Sequence, residues 1–282
     1  MRQPFSSSML QSFRFLRRGG NLWVRVLSAL VLLPVVLSAT YYDGWVFRLL
    51  IGAGALLAVR EWARMIAPGL PVGAPRMLSY GALCFVMGAD AMFGWRISLS
   101  VSLLSSVVFL IGLRWVAFRD RVLLALGIPY LALCGVGLVW LRERSNIGLE
   151  LVLFLFCVVW ATDIGAYAVG RMIGGPRLAP DISPRKTWAG LWGGMVSGAL
   201  TAGAFAWIAD AKQPLIALAV GAALAIIEQI GDLFESAVKR RYKVKDSGHL
   251  IPGHGGLLDR IDGLIAATPA FALFHATLGP WW

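Results

Sequence analysis

Long apolar runs separated by short polar breaks dominate this chain. Nine of them lie at about 23–42, 45–66, 77–95, 97–118, 121–141, 148–170, 188–209, 213–236 and 261–280. Most reach the roughly 20 residues that a helix needs to cross a bilayer core. The pattern predicts an all-α, polytopic integral membrane protein with about nine transmembrane helices. One long polar stretch, residues 231–262, interrupts it. That stretch begins inside the eighth run and ends at the start of the ninth.

Composition and charge sharpen this picture. The hydrophobic fraction is 58% and only 15% of residues are charged, against about 25% in soluble domains. The net charge of +11 is scattered among apolar runs rather than gathered in a basic domain. It therefore reads as loop charge facing anionic lipid, not as a nucleic-acid surface. With the N-terminus cytoplasmic, Arg48, Arg96, Arg142, Arg144 and Lys212 fall outside and 21 of the 26 Lys and Arg residues inside. That bias predicts nine spans with the C-terminus outside. Cys84, Cys134 and Cys157 sit singly in apolar runs, where they read as small buried hydrophobes rather than a disulfide or zinc set.

Three regions follow. Residues 1–22 form a basic amphipathic segment suited to the inner leaflet. Residues 26–39 resemble the apolar core of a secretory signal, but the long stretch before them and the many spans after favour a retained first helix. Residues 23–147 form a five-helix scaffold whose main ionisable exception, Asp90, is placed near an interface. Residues 148–282 form a catalytic region of four helices and cytoplasmic loops, because carboxylates there enter the spans. Acids inside lipid are costly enough to mark function.

In the eighth run Glu228, Asp232, Glu235, Ser236 and Lys239 recur at three and four, so they share one helix face. A polar network without catalysis is the plain alternative. Lys239, Arg240, Arg241, Lys243 and Lys245 follow. Arg241 and Lys243 read as topology charge, and Lys239 and Arg240 as holders of a triphosphate. The run Pro-Gly-His-Gly-Gly at 252–256 allows backbone N–H groups to approach an anion, though it lacks the P-loop pattern. Asp259 and Asp262 face one way at the head of the ninth run. Acids crowded there with Asp232 and a further loop acid repel unless a cation intervenes. Oxygen-only ligands favour Mg²⁺ over zinc, and His254 reads as orienting the loop or a phosphate. Upstream, Pro180 and Pro184 bar a helix, leaving an ordered loop that carries Ser183, Arg185, Lys186 and Thr187. An ordinary connector is the alternative there.

Taken together, Ser236, Lys239-Arg240, Lys245-Asp246, residues 252–256 and Asp259-Arg260-Ile261-Asp262 resemble the signature of the phosphatidate cytidylyltransferase (CDP-diacylglycerol synthase) family. Asp163, Tyr167, Gly170-Arg171 and residues 183–187 also look like that family, so the likeness covers about residues 150–275. Ala189 and Gly263 depart from its common Glu or Gln and Ser. The resemblance implies transfer of CMP from CTP to phosphatidic acid at the cytoplasmic face of a bacterial-type inner membrane. It implies Asp232, Ser236, Lys239, Asp246, Asp259 and Asp262 as catalytic residues, with Asp232, Asp259 and Asp262 on Mg²⁺. Asp163, Tyr167, Arg171, Ser183, Arg185, Lys186, Thr187, Arg240, His254, Gly255, Gly256 and Arg260 are the implied substrate contacts. A monovalent cation beside the Mg²⁺ and a homodimer are further family traits. The competing classes are a transporter or channel using the acids as an ion path, and an enzyme acting on another lipid.

Overall fold

The computed structural model describes residues 7–42, 44–68, 74–253, 255–278 and 281–282, with the side chains of residues 7–22, 25 and 74–76 left aside. These residues form α1 (Ser7–Tyr41), α2 (Trp45–Ile66), α3 (Ala74–Phe93), α4 (Trp95–Gly112), α5 (Phe118–Arg142) and α6 (Gly148–Ile173). Then come β1 (Arg177–Ala179), β2 (Ser183–Thr187), α7 (Trp188–Ile208), α8 (Pro214–Arg241) and α9 (Leu258–Thr277). Five of the helices, α4 to α8, are long and apolar enough to cross a membrane, and shorter apolar stretches lie in α1 and α3. Leu103, Leu104, Ile111, Trp207, Ile208 and Leu215 point outward. So large an apolar exterior suits lipid rather than water. The amphipathic face expected in residues 1–22 lies outside the described side chains.

The chain is helical as expected, with one short addition. Residues 177–187 are an antiparallel hairpin, with Arg177 opposite Thr187 and Ala179 opposite Ser183. Its turn is closed by the Ile182 N–H donating to the Ala179 carbonyl at 3.2 Å. Pro180 and Pro184 exclude helix, but Pro180 lies in the turn and Pro184 on β2, a strand with only one neighbour, where proline is tolerated. The hairpin leads directly into α7, whose first turn is capped by the Thr187 hydroxyl accepting from the Gly190 N–H at 3.1 Å.

Close helix packing rests on small residues. A Cβ at Gly193 would lie 2.9 Å from the Gly165 carbonyl, and one at Gly194 3.1 Å from the Thr162 carbonyl. Glycine at these points lets α6 and α7 approach closely, as in membrane bundles. On the other side, Trp62 of α2 is fully buried and its indole N–H donates to the Leu123 carbonyl at 2.9 Å. Gly127 of α5 leaves the room that this ring fills.

Two polar layers close the bundle at opposite ends. At the far end Arg48 pairs with Asp90 at 2.8 Å and also binds Glu143. Asp90 lies in the last turn of α3 and is only 4% exposed, so it is a buried partner at this end of the bundle. The Trp282 indole donates to Glu150 there at 2.9 Å. At the loop end the Tyr242 hydroxyl donates to Asp120 at 2.6 Å. Burial, and then this carboxylate, push the phenol up to about 12, so the donor persists across the working pH range. Of the cysteines, Cys134 is buried and Cys157 half-buried, but Cys84 is exposed on α3. Its apolar helix faces outward at that position, so burial does not follow from apolar context.

Candidate active site

The loop end gathers the polar residues of α6, the hairpin, α8, the 242–257 loop and α9. Helix α8 crosses α9 tightly: a Cβ at Gly231 would lie 2.5 Å from the Ala266 methyl, and one at Gly263 2.5 Å from Glu228 Cγ. Gly263, one of the departures noted above, thus occupies the space against which Glu228 packs. This crossing sets Asp232 and Glu235 within electrostatic reach of Asp262. From α6, Asp163 meets Glu228 and senses Asp232, Lys186 and Arg260.

The two lysines of the cluster already have anionic company, and two of its arginines are bonded to neutral oxygens. Lys186, at the end of the hairpin, reaches Asp232 at 2.6 Å, and Asp232 also accepts from the Ser236 hydroxyl at 3.2 Å. Lys239 is buried between Glu235 at 3.1 Å and Asp259 at 2.8 Å. It was expected to hold a triphosphate, yet here it joins α8 to α9. Arg240 donates to the Ile182 carbonyl at 3.2 Å and the Val244 carbonyl at 3.3 Å, tying the hairpin to α8. Arg171 donates to the exposed Tyr167 hydroxyl at 3.1 Å, and Arg185 and Asp246 are exposed. Ser183 begins β2 half-buried.

The glycine loop behaves in an instructive way. Ile251 and Gly255 exchange backbone hydrogen bonds at 2.9 and 3.2 Å, with Gly253 and Gly255 at φ of 76° and 93°. Such positive φ is what glycine permits at low cost. The Gly256 N–H donates to Asp259 at 2.9 Å, and the Ser247 N–H donates to the same carboxylate at 2.9 Å. The anion cradled by these amides is therefore Asp259. His254 lies outside the described residues.

One residue escaped the sequence reading. Glu61 of α2, from the scaffold half, is buried and accepts from the Ser247 hydroxyl at 3.1 Å and the Leu258 N–H at 2.9 Å. Cβ atoms at Gly248 and Gly256 would lie 2.6 and 2.5 Å from its carboxylate oxygens. Glu61 thus pins both ends of the loop that holds Asp259. Its only signal in the sequence is an acid between Arg60 and Arg64 in an apolar run.

The cluster holds Asp163, Glu228, Asp232, Glu235, Asp259 and Asp262 against Lys186, Lys239 and Arg260. Acids exceed cations, and one buried oxygen of each of Glu228 and Glu235 has no hydrogen-bond partner among the described residues. An all-oxygen donor set with surplus negative charge fits a hard divalent cation. Among the described residues no three His, Cys, Asp or Glu side chains converge on a single metal position. Each expected ligand already has partners within the chain: Asp259 has Lys239 and two amides, Asp232 has Lys186 and Ser236, and Asp262 has the Gly263 N–H.

A helical bundle of this kind, with five helices long and apolar enough to cross a membrane and a charged centre at one end, defines a membrane protein. The chain belongs to the cytidylyltransferase family, whose pattern it matches over residues 23–278. It is 38% identical over 261 residues to the phosphatidate cytidylyltransferase of Brucella suis biovar 1 (strain 1330), covering 91% of this chain and 94% of that one. It is 32% identical over 253 residues to the phosphatidate cytidylyltransferase of Staphylococcus aureus (strain COL), covering 87% of this chain and 96% of that one.

Proposed function

We propose that this protein transfers CMP from CTP to phosphatidic acid, giving CDP-diacylglycerol and pyrophosphate. The observation that carries the reading is the convergence of Asp232, Asp262, Lys186 and Lys239 at one end of a lipid-embedded bundle. A phosphatidate oxygen attacks the α-phosphorus of CTP, and the bond from that phosphorus to the pyrophosphate oxygen breaks. The attacking oxygen is already ionised near neutral pH, so no strong general base is needed. Rate comes from holding two polyanions together and neutralising their charge.

Asp232 and Asp262 would hold Mg²⁺, with Asp259 close by. When bound, that ion supplies charge neutralisation to the α-phosphate and the departing pyrophosphate. Lys186 and Arg260 hold phosphate oxygens, while Ser236 and Lys239 keep Asp232 and Asp259 in place. Asp246, Tyr167, Arg171, Ser183, Arg185, Arg240, Gly255 and Gly256 ring the cluster and meet the nucleotide. Asp163 orders the α6 side, Thr187 fixes the hairpin to α7, and His254 belongs to the loop. The bundle crosses the membrane nine times, with the N-terminus and the site on the cytoplasmic side of a bacterial plasma membrane. A monovalent cation beside the Mg²⁺ and a homodimer complete the proposal.

Detergent-solubilised protein given radiolabelled CTP, phosphatidic acid and Mg²⁺ should yield a CMP-bearing lipid. Asp232→Asn should lower turnover by about a thousandfold while still inserting in the membrane. Near-normal turnover of that variant would refute the role of the α8 carboxylate, and ion flux without lipid product would refute the enzyme.

A further inference from the structure

Beside the charged cluster lies a cavity of about 450 Å³ between α1, α2, α5, α6 and α9. Leu33, Phe47, Leu131, Phe156 and Leu264 are among its walls, and Arg260 is the one charged residue among the described residues that line it. Arg260 also stands within electrostatic reach of Asp163, so it marks the junction of cavity and cluster. Ile251 and Leu257, from the loop that Glu61 holds, form part of the same rim. The space exists because α2 and α5 present Gly54, Ala55, Ala58 and Gly135 to it. A Cβ at Gly54 would meet nothing within 4 Å.

An apolar slot ending at a cation beside a phosphate-handling centre has the chemistry of a single-chain amphiphile with an anionic head. We infer that this cavity holds one acyl chain of the phosphatidate substrate, with the lipid phosphate at Arg260. The assignment rests on the proposed reaction for the identity of that lipid. The second chain needs no protein site, because the bilayer serves it. A chain already in hydrocarbon gains little free energy by entering another apolar space. The slot therefore positions the lipid rather than binding it: with one chain threaded, the phosphate is held at the junction instead of diffusing in the headgroup plane. Positioning of this kind acts on rate.

The test fills the slot from Gly54. Gly54→Ala, Gly54→Leu and Gly54→Phe are compared with wild type on dioleoyl- and dihexanoyl-phosphatidate in mixed micelles, with CTP and Mg²⁺. A Cβ at Gly52, on the same helix but not lining the slot, also meets nothing within 4 Å. Gly52→Phe therefore controls for insertion and folding. The kcat/KM for the dioleoyl substrate should fall with side-chain size, by roughly ten- to a hundredfold for Phe, the scale a few methylenes carry in a fitted pocket. The dihexanoyl kcat/KM and the KM for CTP should stay at wild-type values, as should every parameter of Gly52→Phe. Equal losses on both lipids, or no loss on the long one, would overturn the assignment. Wild type inactive on both lipids would overturn the reaction itself and this assignment with it. A phosphatidate carrying a diazirine in its chain should label peptides of α5 and α9, and Gly54→Phe should abolish the labelling. Undiminished labelling in Gly54→Phe, or equal labelling by a phosphatidylcholine probe, would count against it.

Discussion

Replacing Glu61 tests whether the scaffold half shapes the reaction centre. The carboxylate holds the Ser247 hydroxyl and the Leu258 N–H at 3.1 and 2.9 Å, and hydrogen bonds to a charged acceptor contribute about 1.5–3 kcal/mol each. Glu61→Ala removes both bonds and leaves a buried N–H at the head of α9 without a partner. The expected loss of stability is about 3–5 kcal/mol. Freed at both ends, the loop shifts the Ser247 and Gly256 amides that orient Asp259, and with them Lys239. A displacement of about an ångström there should cost roughly a hundredfold in kcat. Both bonds fall on one carboxylate oxygen, so Glu61→Gln can keep an acceptor for both and should lose under half as much stability, with most turnover retained. Purified variants would be compared by thermal unfolding in detergent and by CMP transfer at saturating CTP. Wild-type turnover in Glu61→Ala would refute the link between α2 and the reaction centre. Equal damage in both variants would show that the negative charge, which both remove, matters at this position rather than the shape or the acceptor oxygen.

Four other outcomes follow from the same geometry. Lys239→Met leaves Glu235 and Asp259 facing each other without their shared cation, which should destabilise the protein by about 3–5 kcal/mol. Arg241→Ala, on an exposed cation, should change thermal unfolding and turnover little, and a loss matching Lys239→Met would show the cluster misassigned. Gly127→Ala drives a methyl into the Trp62 ring and should cost about 1–3 kcal/mol by overpacking, read as a lower unfolding temperature. Single cysteines at Lys212 and Lys245 should react with an impermeant maleimide from opposite sides of sealed vesicles. Labelling from one side would dismiss the nine-span topology.

How much of this was legible in the sequence depends on distance along the chain. The α8 stripe of Glu228, Asp232, Glu235 and Lys239 could be read because helical spacing alone sets it. The nearness of Asp259 to α8 followed from the crowding of acids on two adjoining runs, but its partner there, Lys239, had been read as a phosphate holder. The hairpin was half legible: Pro180 and Pro184 exclude helix but do not say that residues 177–179 and 183–187 would pair. Glu61 was not legible, since its partners lie 186 and 197 residues away and an acid among arginines looks like loop charge. The bond from Arg48 to Asp90, 42 residues away, was hidden for the same reason, Arg48 having been counted only as a topology signal.

The fate of the cations shows a deeper limit. Pattern reading treats Lys239, Lys186 and Arg240 as ligands for substrate because they are positive and near acids. The folded chain uses Lys239 and Arg240 first to hold its own parts together. Asp259 and the Gly256 amide show the converse, an anion cradle whose anion belongs to the protein. A buried charge left without a partner is costly, so groups such as Lys239 and Asp259 pair within the chain before substrate arrives. A centre of this kind receives its polyanions by exchange rather than by filling a vacancy. Phosphate oxygens entering near Lys186 compete with Asp232 for the same ammonium group. That exchange would turn the Asp232 carboxylate toward Asp262, on the side where surplus negative charge already calls for a cation. Substrate and metal should accordingly bind with positive coupling: the apparent Kd for Mn²⁺, followed by its paramagnetic relaxation effect, should fall several-fold in the presence of CTP. Equal Mn²⁺ affinity with and without CTP would show that the Lys186–Asp232 contact does not take part in the exchange.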